Sequence, residues 1–160
     1  MTSDISLYVH WPFCKTVCPY CDFNSHVSET INQDRWRDAF LKELYHYASA
    51  TPGRRLTSIF FGGGTPSLMA SKTVETIIER ACTTWSADKN LEITLEANPS
   101  SADISRFTSY RIAGVNRLSL GVQSLDNRAL KFLGRPHNAN QAQTAMTLAK
   151  KIFDRVSFDF

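Results

Sequence analysis

Short runs of β-forming residues alternate along the chain with segments whose apolar positions recur every three or four residues. LYVH (7 to 10), SIFFG (58 to 62), LEITLE (91 to 96), RLSLGV (117 to 122) and RVSFDF (155 to 160) are the runs, and each reads as a strand. Between them Trp36, Phe40, Leu44 and Tyr47 fall at helical spacing, as do Val74, Ile77, Ile78, Ala81 and Trp85. Asp103 is placed to cap a helix carrying Ile104 and Phe107 that closes at Gly114, and Asp126 and Gly134 bracket a shorter one carrying Leu130 and Leu133. A further helix is expected from Asn140 to Phe153, with Lys150 and Lys151 near its negative end. Such alternation predicts a parallel sheet, because parallel neighbours need a crossover connection and the helix supplies it.

The parity of the strands says more than their presence. Leu7 and Val9 oppose Tyr8 and His10, while Ile93 and Leu95 oppose Glu92, Thr94 and Glu96. Likewise Leu118, Leu120 and Val122 oppose Ser119, Gly121 and Gln123, and Val156, Phe158 and Phe160 oppose Ser157 and Asp159. Strands covered on both faces usually read as near-continuous apolar runs, and these do not. The fold expected is α/β: an incomplete parallel β/α barrel of five strands whose polar face lines a cavity. A single-layer sheet with that face in solvent is the alternative.

The bulk numbers narrow the setting. A chain of 160 residues suits one domain, and 42% hydrophobic with 21% charged residues is ordinary for a globular protein. The net charge of +3 is mild and the basic residues form no run, so a solvated surface is expected in preference to a nucleic-acid footprint. No stretch approaches the roughly 20 apolar residues of a membrane span. The start MTSDISLYVHW lacks the basic and apolar regions of a secretion signal, so a cytoplasmic location is expected. Thiols stay reduced there, and the four cysteines read as metal or cluster ligands before disulfides.

Three of those cysteines are crowded into HWPFCKTVCPYCDF, residues 10 to 23, where Cys14, Cys18 and Cys21 form C-x3-C-x2-C directly after the first strand. Structural zinc closes four ligands, so a zinc reading must borrow His10, His26 or the distant Cys82. An iron-sulfur cubane ordinarily takes four cysteines, and three leave one iron open to bind a small molecule. Cys82 falls on the apolar stripe of its helix and reads as a small buried hydrophobe, while His26 and His137 read as surface or structural residues. Gly62, Gly63 and Gly64 follow the second strand in GGGTP, which lacks the GK[ST] ending of a phosphate loop.

The cysteine spacing, with an aromatic residue before the third cysteine, resembles the signature of radical S-adenosylmethionine (SAM) proteins. YVHWPFCKTVCPYCDFNS, FFGGGTPS, LEANP, RLSLGVQS, LGRPH and VSFDF resemble, in order and spacing, the N-terminal part of the HemN/HemW family. The resemblance implies a [4Fe-4S] cluster on Cys14, Cys18 and Cys21, whose open iron is chelated by SAM and whose electron cleaves it to a 5'-deoxyadenosyl radical. It further implies that Tyr8, Tyr20, Gly63, Gly64 and Thr65 lie about the cluster and the methionine part of SAM. Glu96 then receives the ribose hydroxyls, and Gln123, Arg135 and Asp159 hold SAM or a second adenosyl ligand.

The family divides by chemistry. HemN-type coproporphyrinogen III dehydrogenases, which decarboxylate porphyrinogen propionates oxidatively, carry a further cysteine two positions after the third ligand; Phe23 stands there in this chain. The resemblance therefore implies the HemW-like branch, which binds haem and transfers it to acceptor proteins, with a reducing electron donor as a further partner. An eight-unit barrel takes roughly 250 residues. Residues 1 to 160 are accordingly expected to be the N-terminal part of a radical SAM core, with the remaining barrel, a C-terminal domain and turnover itself beyond it.

Overall fold

The computed structural model describes residues 3–28 and 30–160; Met1 and Thr2, part of the N-terminal stretch read above, lie outside them. Strand β1 (Asp4–Trp11) is followed by two short segments, β2 (Phe13–Cys14) and β3 (His26–Val27), that pair with each other. Then come α1 (Gln33–Ala50), β4 (Arg55–Gly63), α2 (Ser71–Thr84), β5 (Ser86–Ala97) and α3 (Ile104–Ile112). The remainder is β6 (Arg117–Gly121), α4 (Asn127–Phe132), α5 (Ala139–Ile152) and β7 (Arg155–Asp159).

The five long strands form one sheet in the order β1-β4-β5-β6-β7, every pair parallel. This is the open β/α barrel segment that the alternation predicts. Helices α1, α3, α4 and α5 begin where short polar side chains accept a backbone N–H: Asn32 from Arg35, Asp103 from Arg106, Asp126 from Arg128 and Asn138 from Gln141. Asn138 and Gln141 complete a reciprocal capping box, so α5 starts one residue earlier than its apolar spacing suggests.

One face of the sheet is the core. Trp11, Ile59, Phe61, Leu95, Leu118 and Leu120 are fully buried there, packed with Val74 and Ile77 of α2, Phe107 of α3 and Ala142 and Ala149 of α5. Each large apolar side chain so buried contributes roughly 1.5–3 kcal/mol. Four residues depart from expectation at the margins. Tyr47 holds helical spacing on α1 yet is exposed, and so is Ile104 in the first turn of α3. Tyr8, second in the LYVH run, is the fifth residue of an eight-residue β1 that begins at Asp4 and runs on to Trp11. Cys82 is half-buried rather than buried, packed against the core from α2.

The opposite face carries the polar parity. Adjacent strands place Tyr8, Phe60, Thr94, Arg117 and Arg155 in one row, and Glu96, Ser119 and Ser157 in the next. Among the described residues no helix is long and apolar enough to cross a membrane.

Candidate cofactor site

The carboxyl ends of the strands, with the loops that leave them, surround a cavity of about 380 Å³. Ligands of parallel β/α proteins gather at this end, because the connections there are free to vary while the sheet holds them in place. The loop after β1 brings Cys14, Cys18, Tyr20 and Cys21 to the wall, and the turn after β4 brings Gly63, Gly64 and Thr65. Glu96 of β5, Gln123, Arg135 and Asp159 line the same cavity. Of the residues that the resemblance assigns to the cluster or SAM, Tyr8 is the one not on the wall.

All three thiols are free, Cys14 and Cys18 buried and Cys21 partly so. The loop turns tightly, with the Cys21 N–H donating to the Cys18 carbonyl at 3.0 Å. Thr65 Oγ1 donates to Cys14 Sγ at 3.5 Å, and Arg135 Nη1 reaches Cys18 Sγ at 3.3 Å and the Tyr20 hydroxyl at 3.2 Å. Among the described residues no three His, Cys, Asp or Glu side chains converge as a single metal ion requires. The candidates for a fourth zinc ligand are engaged or distant. Cys82 sits on α2, His26 is exposed on β3, and His10 uses both ring nitrogens.

The glycines answer to the protein's own packing. A Cβ on Gly64 would lie 2.7 Å from the Phe13 carbonyl oxygen and 2.9 Å from Cys14 Sγ. Gly63, at φ +112°, would put one 2.8 Å from the His10 ring. The turn and the cysteine loop are clamped together, as Gly64 N–H donates to the Trp11 carbonyl at 2.7 Å and Thr65 N–H to that of Phe13 at 2.8 Å. The absence of side chains thus lets backbone meet backbone beneath the thiols.

Burial pushes the Glu96 carboxyl above the ordinary range, the Gly63 backbone amide works against that rise, and Asp159 adds to it. Glu96, Asp159 and Asp22 all line the cavity, which suits a cationic ligand. Among the described residues Gln123 is the non-glycine residue with left-handed backbone, at φ +66°, and its N–H donates to the Asp159 carbonyl at 2.7 Å. Strain of this kind is held in place by surrounding structure and gathers at functional sites. Here it ties the exit of β6 to the end of β7.

Tyr8 is 56% exposed and stacks on Phe60 with ring centroids 6.1 Å apart. Its hydroxyl meets His10 Nδ1 at 3.2 Å, and His10 Nε2 meets the Asn24 carbonyl at 2.9 Å. Because a carbonyl only accepts, Nε2 carries a proton, and in the neutral ring Tyr8 therefore donates to Nδ1. Burial and then Glu96 raise the tyrosine's pKa. The relay joins the polar face to the end of the cysteine loop. His137 is structural, buried with Nε2 on the Val122 carbonyl at 3.0 Å, and burial lowers its pKa.

Sequence reasoning passed over several wall residues. Ser119 and Gly121 are on the polar parity and were legible there. Asn98, within LEANP, lines the cavity while its side chain accepts the Ser100 N–H at 3.0 Å, so its capping role was visible and its place at the site was not.

The residues fit a cluster with SAM. Three thiols and the acids Asp22, Glu96 and Asp159 line one cavity, and a Cβ on Gly64 would crowd both Phe13 and Cys14.

Comparison with known proteins agrees. Residues 8–160 match the family model described as the radical SAM superfamily. The chain is 42% identical over 155 residues to the bovine (Bos taurus) "Radical S-adenosyl methionine domain-containing protein 1, mitochondrial", covering 96% of this chain and 35% of that one. It is 41% identical over 146 residues to "Heme chaperone HemW" of Escherichia coli, covering 91% and 39%. Among solved structures, coproporphyrinogen III oxidase (HemN) from Escherichia coli superposes with a TM-score of 0.86 at 25% identity, over 98% of this chain and 37% of that one. The chain thus spans a little over a third of the length of these relatives.

Proposed function

Because this chain belongs to the radical SAM superfamily, we propose that Cys14, Cys18 and Cys21 hold a [4Fe-4S] cluster with one iron left for SAM, and that the complete protein is a HemW-type haem handler. The observation that carries the proposal is the gathering of three free thiols, without a fourth, on one wall of an acid-lined cavity. When bound, the cluster supplies a low-potential electron to SAM; the chain's residues position and shield that chemistry.

Each residue has a task suited to its surroundings. Among the described residues no side-chain donor reaches Glu96, so its carboxylate is left to accept the two ribose hydroxyls of SAM. Gly63, Gly64 and Thr65 line the wall beside Cys14, where backbone and hydroxyl can bond the methionine part. Tyr20, Gln123 and Asp159 close the adenosyl side. Tyr8 acts from outside the wall, orienting His10 and through it Asn24.

Anaerobic reconstitution is expected to yield about four irons per chain and a cubane spectrum that SAM perturbs. A Cys18→Ser variant is expected to lose most of that iron. One tightly bound zinc and no iron uptake would reject the cluster in favour of a structural metal module.

The choice of branch rests on Phe23, which is 59% exposed on the cavity wall where the HemN resemblance calls for a cysteine. The two HemW proteins of Escherichia coli and Haemophilus influenzae, each 41% identical, support it. Haem titration of the complete protein, with transfer to an apo-acceptor followed by absorbance, tests that branch. The similarity to HemN favours a second reading, oxidative decarboxylation of coproporphyrinogen III, and formation of protoporphyrinogen by the complete protein would establish it. The compartment is a reducing one; relatives named mitochondrial match as well as bacterial ones, so the cytoplasm is proposed for a bacterial source only.

A further inference from the structure

We propose that Arg135 is a positioning residue for the cysteine loop, donating a charged hydrogen bond to the Cys18 sulfur and thereby raising the reduction potential of the cluster. The inference rests on the cluster reading above, and it departs from the resemblance, which makes Arg135 a SAM contact.

One flat guanidinium bridges two parts of the fold. Nη1 is shared between Cys18 Sγ at 3.3 Å and the Tyr20 hydroxyl at 3.2 Å, both on the cysteine loop. Nη2 donates to the Gly121 carbonyl at 2.8 Å, at the end of β6. That carbonyl anchors the fork, so the other arm is held toward the sulfur before any ligand arrives. The approach is built into the backbone. Arg135 N–H donates to the Leu130 carbonyl at 2.9 Å, closing α4, and Gly134 at φ +65° lies so near Pro19 that a Cβ would sit 2.8 Å from its ring. The end of α4 is therefore packed on the segment between Cys18 and Cys21.

The three thiols are treated unequally. Cys18 faces a full positive charge, and Cys14 a neutral hydroxyl at the longer 3.5 Å. Among the described residues no side-chain donor is recorded on Cys21. Hydrogen bonds to ligand sulfurs are a principal lever on cluster potential, because they stabilise the more negative reduced form. Charge-assisted bonds are about twice as strong as neutral ones. A lysine would keep the charge but not the flat fork that reaches the sulfur and the Gly121 carbonyl together.

The test uses the full chain, reconstituted anaerobically and kept free of SAM, with dithionite as the electron source and the one-electron couple followed by EPR. Relative to wild type, Arg135→Met is expected to lower the reduced-to-oxidised ratio about tenfold at a fixed potential, which is about 59 mV for one electron. Arg135→Lys is expected to lower it about threefold and to shift the EPR line shape, and it carries the test if Arg135→Met does not fold. A variant with wild-type potential and line shape but weakened SAM binding overturns the proposal and restores the SAM-contact role. A wild-type chain that assembles no cluster overturns both readings at once, so the two failures are distinguishable.

Discussion

Two glutamates four residues apart on β5 point to the same face of the sheet and meet opposite fates. Glu92, toward the amino end, accepts Arg117 Nη1 at 2.9 Å, is paired with Arg155, and takes the Thr94 hydroxyl at 3.3 Å. Burial opposes its ionisation, but the arginines outweigh it and its carboxyl stays below the ordinary range. Glu96, at the carboxyl end, has no arginine partner among the described residues; burial first and then the neighbouring Asp159 raise its carboxyl. Parity makes both residues polar-facing; pairing decides which one closes the sheet's floor and which is left to receive a ligand. A carboxylate already satisfied by arginines has little to offer a substrate, whereas one without such partners retains acceptor capacity.

The comparison sharpens first against the other face. Leu95 lies between the two acids in sequence and is fully buried, so Leu95→Ala should cost about 3 kcal/mol in urea unfolding, a loss neither glutamate variant approaches. Next, Glu96→Gln should weaken SAM binding about thirtyfold while leaving the fold intact, since charged hydrogen bonds contribute about 1.5–3 kcal/mol each. Unchanged affinity by calorimetry on the reconstituted protein would remove Glu96 from the site. Glu92→Gln should do the reverse, costing about 1 kcal/mol of stability after allowance for the exposure of Arg155, with SAM affinity unaltered.

The smallest effect lies in pH dependence of the ligand-free protein. Glu92 titrates low when folded, so its pairing stabilises above the ordinary glutamate range and is lost as pH falls below it. The deficit of Glu92→Gln should therefore vanish in acid. Glu96 titrates high, so its ionised form destabilises at neutral pH and the penalty is relieved as pH falls through the raised value. Glu96→Gln should be slightly more stable than wild type near neutrality and should lose that advantage on mild acidification. Parallel denaturation curves for the two variants at every pH would break the distinction drawn here.

Much of the site was legible because its residues come from rigid periodic elements. Glu96 and Asp159 sit at strand ends on the polar parity, and Cys14, Cys18 and Cys21 follow β1 at fixed spacing. Tyr8 lies off the cavity wall because pairing with β4 carries β1 three residues further, to Trp11 opposite Gly63. Tyr47 was misjudged because helical spacing names a stripe but not where the stripe runs past its neighbour.

The sequence by itself determined the order of elements, the apolar and polar faces of the sheet and the identity of the three thiols, since these follow from local periodicity and side-chain chemistry. Only the tertiary structure decided that Arg135, 117 residues from Cys18, spends its guanidinium on that sulfur, that His10 is fastened to Asn24, and that Glu92 is neutralised while Glu96 is not. The physical reason is range. Propensity and parity act over a few residues, whereas a hydrogen bond depends on two groups that the whole fold must first bring within about 3 Å.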